Sequence, residues 1–69
     1  MAVNEASDPI FWRLNAEELR RVADELETTL PVLDKYSMQM AADSVRNRIE
    51  SLRASALRDI LYAVELERK

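Results

Sequence analysis

Apolar residues recur every three or four positions along most of this chain, which is the period of an amphipathic helix. In the first half the stripe comprises Leu19, Val22, Ala23, Leu26, Leu30 and Leu33. On a helical wheel this stripe covers an arc of about 100°, the width that one neighbouring helix covers. No segment has the strict alternation of a half-buried strand. The pattern therefore predicts an all-α chain.

Two positions carry signals for the start of the first helix. Asp8 precedes Pro9, and an acidic cap followed by proline is typical of a first helical turn. Asn15 is followed three residues later by Glu18, which is the spacing of a capping box. We take Asn15 as the cap of the main helix, and aspartate at this position should then be nearly neutral. The stretch 8–14 becomes a short helical turn.

The predicted main helix covers residues 16–30. Because of Pro31, the sequence allows two interpretations of where this helix ends. Either the helix ends near Thr29, or it kinks and continues to residue 35. Ser37 is the predicted cap of a second helix at 38–67, a stretch without glycine or proline. Its main stripe comprises Met38, Ala41, Ala42, Val45, Ile49, Leu52, Ala56, Ile60 and Ala63.

Two helices with a short connection predict an antiparallel helical hairpin. The predicted organisation is a flexible N-terminal tail at 1–7 and a single domain at 8–69. A further row of Leu57, Leu61 and Val64 widens the apolar face of the second helix to about 180°, more than one facing helix covers. We therefore expect a homo-oligomer, preferably a homodimer that forms a four-helix bundle. The predicted interaction residues are Phe11, Trp12, Leu57, Ile60, Leu61 and Val64.

The amino-acid composition excludes several kinds of binding site and catalytic site. Cysteine, histidine and glycine are all absent, so disulfides, zinc fingers, histidine-dependent catalysis and glycine-rich phosphate loops are excluded. We therefore expect no catalytic residues, no cofactor and no metal site. The first residues do not resemble a secretory signal, and no stretch approaches the roughly 18 apolar residues of a membrane span. A cytoplasmic protein is the default expectation.

Four arginines are concentrated in the second helix, at Arg46, Arg48, Arg53 and Arg58. They could contact nucleic-acid phosphates, or they could pair with the acidic first half of the chain. The net charge is −3, and the arginines do not share one face, which favours ion pairing. Nucleic-acid binding is therefore the alternative hypothesis.

The outline of a glycine-free helical hairpin is similar to that of plasmid copy-number regulators of the Rop type. This is a similarity of architecture that covers no specific residues, and it implies a small regulator. The leading hypothesis is a non-enzymatic protein-binding module, such as an adaptor, an inhibitor or a chaperone-like regulator. It would act through the broad apolar face of the second helix.

Overall fold

The computed structural model describes residues 7–68, and within them it is all-helical. Three helices follow one another: α1 at Pro9–Glu27, α2 at Leu30–Lys35 and α3 at Gln39–Glu67. Both α1 and α2 pack against α3. The predicted tail at 1–7 lies outside the described residues except for Ser7. None of the helices in this range is both long and apolar enough to span a membrane.

The first helix begins earlier than predicted, because Asp8 and not Asn15 is its cap. The backbone N–H of Ile10 donates to Oδ1 of Asp8 at 2.9 Å, and Pro9 occupies the first helical position. Proline is well suited to this position, where its missing N–H would have no helical partner. Asn15 lies inside α1, so the prediction of a helix start at Asn15 is wrong.

The end of α1 is explained by Pro31, which has no N–H to donate and whose ring would clash with the carbonyl four residues earlier. Thr28 and Thr29 form a turn there, and their hydroxyls donate to the carbonyls of Glu25 and Leu26 at 2.6 and 2.7 Å. The backbone N–H groups of Thr28 and Thr29 donate to the same two carbonyls, so side chain and backbone together close the end of α1. The chain then resumes as α2, so the two interpretations of Pro31 each describe part of the outcome.

The connection between α2 and α3 depends on a left-handed residue at Ser37, whose φ is 57°. The N–H of Met38 donates to the carbonyl of Leu33 at 2.9 Å, and that of Ser37 to Asp34 at 3.1 Å. This pair of bonds is a Schellman motif, in which glycine is the usual left-handed residue. Ser37 therefore ends α2 rather than capping α3, contrary to the prediction; α3 has Met38 at its N-cap, with no side-chain cap bond.

The interface between α1 and α3 is lined mainly by alanines. The buried apolar side chains are Ala16, Ala23, Ala42, Ile49, Leu52, Ala56 and Ala63. Most of them recur at intervals of seven residues, so each helix presents a repeated small position to the other. We call this row the alanine seam. Small side chains allow two helix backbones to approach closely, but they bury little apolar surface per residue.

Larger residues flank the alanine seam without being fully buried. Leu19, Leu26, Leu30 and Val45 are partly buried and pack around Ala23, Ile49 and Leu52. Polar contacts at two levels of the hairpin fix which parts of α1 and α3 meet. Arg13 near the start of α1 pairs with Glu67 at the end of α3. Arg53 in the middle of α3 pairs with Asp24 and Glu27 near the end of α1.

Candidate interaction surface

The second half of α3 carries a row of apolar side chains that the rest of the hairpin leaves uncovered. Leu57 is 54% exposed, Leu61 59% and Val64 37%. Ile60 is half-buried beside them, at the edge of the contact with α1. We call these four residues the α3 apolar patch. A leucine at 59% exposure retains most of its apolar area in water, so covering it would be favourable.

Helical geometry explains why this patch stays outside the hairpin. At about 100° per residue, Leu57, Leu61 and Val64 point roughly 90–150° away from the direction in which Ala56 and Ala63 face α1. A single packed helix covers an arc of about 100°. The patch therefore lies on the flank of α3, beyond the reach of α1.

Charged side chains border the patch on the side of α1. Arg13, Glu17 and Arg20 line a depression of about 180 Å³ between the two helices, with Ala16 and Ile60 as its apolar part. Arg13 donates two hydrogen bonds to Glu67, at 2.7 and 2.9 Å. These hydrogen bonds and the positive charge of Arg13 lower the pKa of the Glu67 carboxyl below its usual value of 4.5. Glu67 is thereby held as a carboxylate beside the patch.

The aromatic residues of α1 pack on α3 of the same chain. The rings of Trp12 and Tyr62 meet edge to face, with centroids 5.1 Å apart, and Phe11 meets Trp12 in the same way at 5.1 Å. Phe11 and Trp12 are both half-buried. This cluster lies on the opposite flank of α3 from the apolar patch. The predicted set of interaction residues is therefore divided between two surfaces.

Two of the four arginines are engaged with acidic groups of the hairpin. Arg46 donates to both carboxylate oxygens of Asp34 at 3.1 Å and to Asp43 at 3.3 Å. Arg53 donates to Asp24 at 3.1 Å and to Glu27 at 3.2 Å. These hydrogen bonds, of which the one that Glu27 accepts has the largest effect, raise the pKa of Arg53. Both side chains are positioned to hold the hairpin together.

Arg58 and Arg48 are arranged differently. Arg58 donates to the hydroxyl of Ser55 at 2.8 Å. Arg48 is exposed and forms no ion pair with any of residues 7–68. The four arginines thus do not form one basic surface, and nucleic-acid binding through them stays an untested hypothesis. Acidic side chains do not gather into a metal-binding group anywhere in the described range.

Three residues outside the predicted interaction set continue the patch along α3. Glu50, Ala54 and Arg68 are exposed and lie on the same side of the helix as Leu57 and Leu61. Their intervals of three and four residues could have identified them. Only the packing of α1 determines which side of α3 remains exposed to solvent.

Comparison with known proteins gives no match, whether with protein-family models, with curated protein sequences or with solved structures.

Proposed function

We propose that this chain is a non-enzymatic protein-binding module that acts through the α3 apolar patch, first of all by self-association. Two antiparallel hairpins would join into a four-helix bundle, and the assembled protein would serve as a small adaptor or regulator. The observation that carries this proposal is the continuous exposed row of Leu57, Leu61 and Val64. A two-fold pairing is the commonest way for a soluble chain to bury such a surface.

The weak interior of the single hairpin supports the same proposal. Among residues 7–68, Ile49 and Leu52 are the only large side chains in the buried core, and the others are alanines. A domain of this size gains little net stability from burial, and small scaffolds usually need a further source of stability. Cysteine is absent, so a disulfide cannot supply it. Association through leucine and valine side chains would supply additional apolar burial.

Replacing Leu61 with glutamate tests the proposal. In the associated state this change would bury an unpaired charge, so we expect Leu61→Glu to be monomeric at concentrations where the wild type is a dimer. Sedimentation equilibrium over a range of micromolar concentrations measures the difference. Val32→Glu is the matched control, since Val32 is exposed to a similar extent, at 56%, but lies on α2. A wild type that stays at 8.0 kDa at all concentrations would refute self-association.

A further inference from the structure

The α3 apolar patch is the centre of a longer row of exposed residues. Along α3 the residues on this side are separated alternately by four and three positions, which is the spacing of the seam between two coiled helices. The row comprises Glu50, Ala54, Leu57, Leu61, Val64 and Arg68. We call it the α3 outer seam. At a rise of 1.5 Å per residue it is about 27 Å long.

Two copies of the outer seam match each other in charge and size when they run in opposite directions. The seam begins with an acid, Glu50, and ends with a base, Arg68. Between them stand a small residue, two leucines and a valine. When a second copy is laid against it in the opposite direction, acid meets base, alanine meets valine and leucine meets leucine. In a parallel, in-register pairing Glu50 would face Glu50 and Arg68 would face Arg68, and both pairs would repel.

We infer that the occupant of the outer seam is a second copy of this chain, paired antiparallel about a two-fold axis near residue 59. Leu57 then lies opposite Leu61 of the other copy, and Glu50 lies opposite Arg68 of the other copy. This inference rests on the proposed function and adds to it the helix, the direction and the register of the pairing. Ile60 would lie beside its own equivalent, on the side of the contact nearer to α1.

The charged residues at the two ends of the outer seam form no close ion pair with the described residues of the hairpin. Glu50 forms no ion pair with any of residues 7–68, although Arg46 and Arg53 both lie within a turn of it. Within the described part of the chain, the one acidic contact of Arg68 is with Glu65, three residues away on the exposed surface, at a long 3.9 Å. Such a contact contributes little. Both side chains are therefore able to pair with a second copy.

Charge reversal tests the direction and the register. Glu50→Arg should weaken the dimer because it puts two arginines opposite one another at each end, and Arg68→Glu should weaken it by pairing two acids. We expect each single change to raise the dimer Kd about tenfold at low salt. The double variant restores opposite charges and should return to within about twofold of the wild type. Glu25→Arg and Lys35→Glu are controls of equal charge change on α1 and α2.

Disulfide trapping provides an independent test, and it is clean because the chain has no cysteine of its own. In an equimolar mixture of Glu50→Cys and Arg68→Cys, mild oxidation should produce the mixed disulfide. Each variant alone should stay uncrosslinked, because equivalent positions lie about 27 Å apart in the antiparallel register. Crosslinking of Glu50→Cys with itself would indicate parallel pairing and would overturn the inference.

The outcomes separate this inference from the proposed function. A wild type that never dimerises overturns both. A wild type that dimerises through Leu61, but whose Kd is insensitive to either charge reversal, overturns the register alone. Circular dichroism of each variant shows whether the hairpin is intact, and all the substituted positions are exposed in the single chain.

Discussion

Asn15 shows how a single side chain can acquire a role that its neighbours in sequence do not indicate. It lies inside α1, and its amide nitrogen donates to Oδ2 of Asp59 at 2.6 Å in a partly buried position. The two residues are 44 positions apart, so only the packed hairpin brings them together. A hydrogen bond to a charged acceptor in such a position is stronger than one between neutral groups.

Substitutions at Asn15 should therefore distinguish the bridge to Asp59 from a helix cap. Asn15→Asp should destabilise the hairpin by about 1–2 kcal/mol, because it removes the donor and sets two carboxylates against each other. Asn15→Ala should cost less, since alanine's better helix propensity offsets part of the lost bond. Urea unfolding at neutral pH measures both. If Asn15 acted as a cap, the aspartate variant would instead be the milder of the two.

At the scale of the helices, the alanine seam determines how closely α1 and α3 approach. Ala16, Ala23, Ala56 and Ala63 are at most 1% exposed, so no room remains for a larger side chain between the two backbones. Larger apolar residues stand at the margins of this contact. The pairing of α1 with α3 therefore depends on small size at the seam more than on strong apolar burial.

Ala56→Leu should consequently destabilise the hairpin, even though leucine is a good helix former and is more apolar than alanine. We expect a loss of about 1–3 kcal/mol, since an overpacked contact forces the helices apart. Ser51→Leu is the control, because it adds the same side chain to an exposed position of α3. Thermal unfolding of both variants measures the effect. Equal stability of the two variants would contradict the close approach.

Local pattern predicted α3 well and α1 less well, for physical reasons. The stretch 38–67 has an unbroken apolar stripe and no residue that breaks a helix, so α3 at Gln39–Glu67 is close to the prediction. The start of α1 was misplaced because a capping-box pattern at Asn15 resembled a helix start, whereas its side chain bonds across the hairpin. Ser37 was misassigned because serine suits a cap and, in a chain without glycine, also takes the left-handed position.

The candidate surface was predicted in part. The row at Leu57, Leu61 and Val64 was recognisable from its offset to the main stripe, and the structure leaves these residues exposed. Phe11 and Trp12 were grouped with them because aromatic residues are common at binding surfaces. Their packing on Tyr62 depends on α1 reaching the far end of α3, which its start at Pro9 allows.

At the scale of the whole molecule, the ion pair between Arg13 and Glu67 joins the first turns of α1 to the last turn of α3. The hydrogen bonds from Arg13 lower the pKa of Glu67. A carboxyl whose pKa is lowered by folding contributes stability above its unfolded pKa, and this contribution is lost as the pH falls through the folded value. The hairpin should therefore lose part of its stability below about pH 4.5.

Glu67→Gln should remove this part of the acid sensitivity. The variant should have a lower Tm than the wild type at pH 7, and the difference should shrink as the pH falls from about 4.5 through the lowered pKa of the Glu67 carboxyl. Thermal unfolding at a series of pH values measures it. Glu17→Gln is a suitable control because Glu17 forms no ion pair with other residues in 7–68. A constant difference in Tm at all pH values would contradict the assignment.

The alanine seam also determines how the single hairpin responds to temperature. The heat-capacity change of unfolding grows with the apolar surface that unfolding exposes, and ordinary domains show about 12–15 cal/mol/K per residue. A contact made largely by Ala16, Ala23, Ala56 and Ala63 exposes little, so the lone hairpin should fall below this range and its stability curve should be broad and flat. Burial of Leu57 and Leu61 between copies would carry its own heat-capacity change. Self-association would then add curvature to the stability curve that the alanine-lined interior of the single hairpin does not supply.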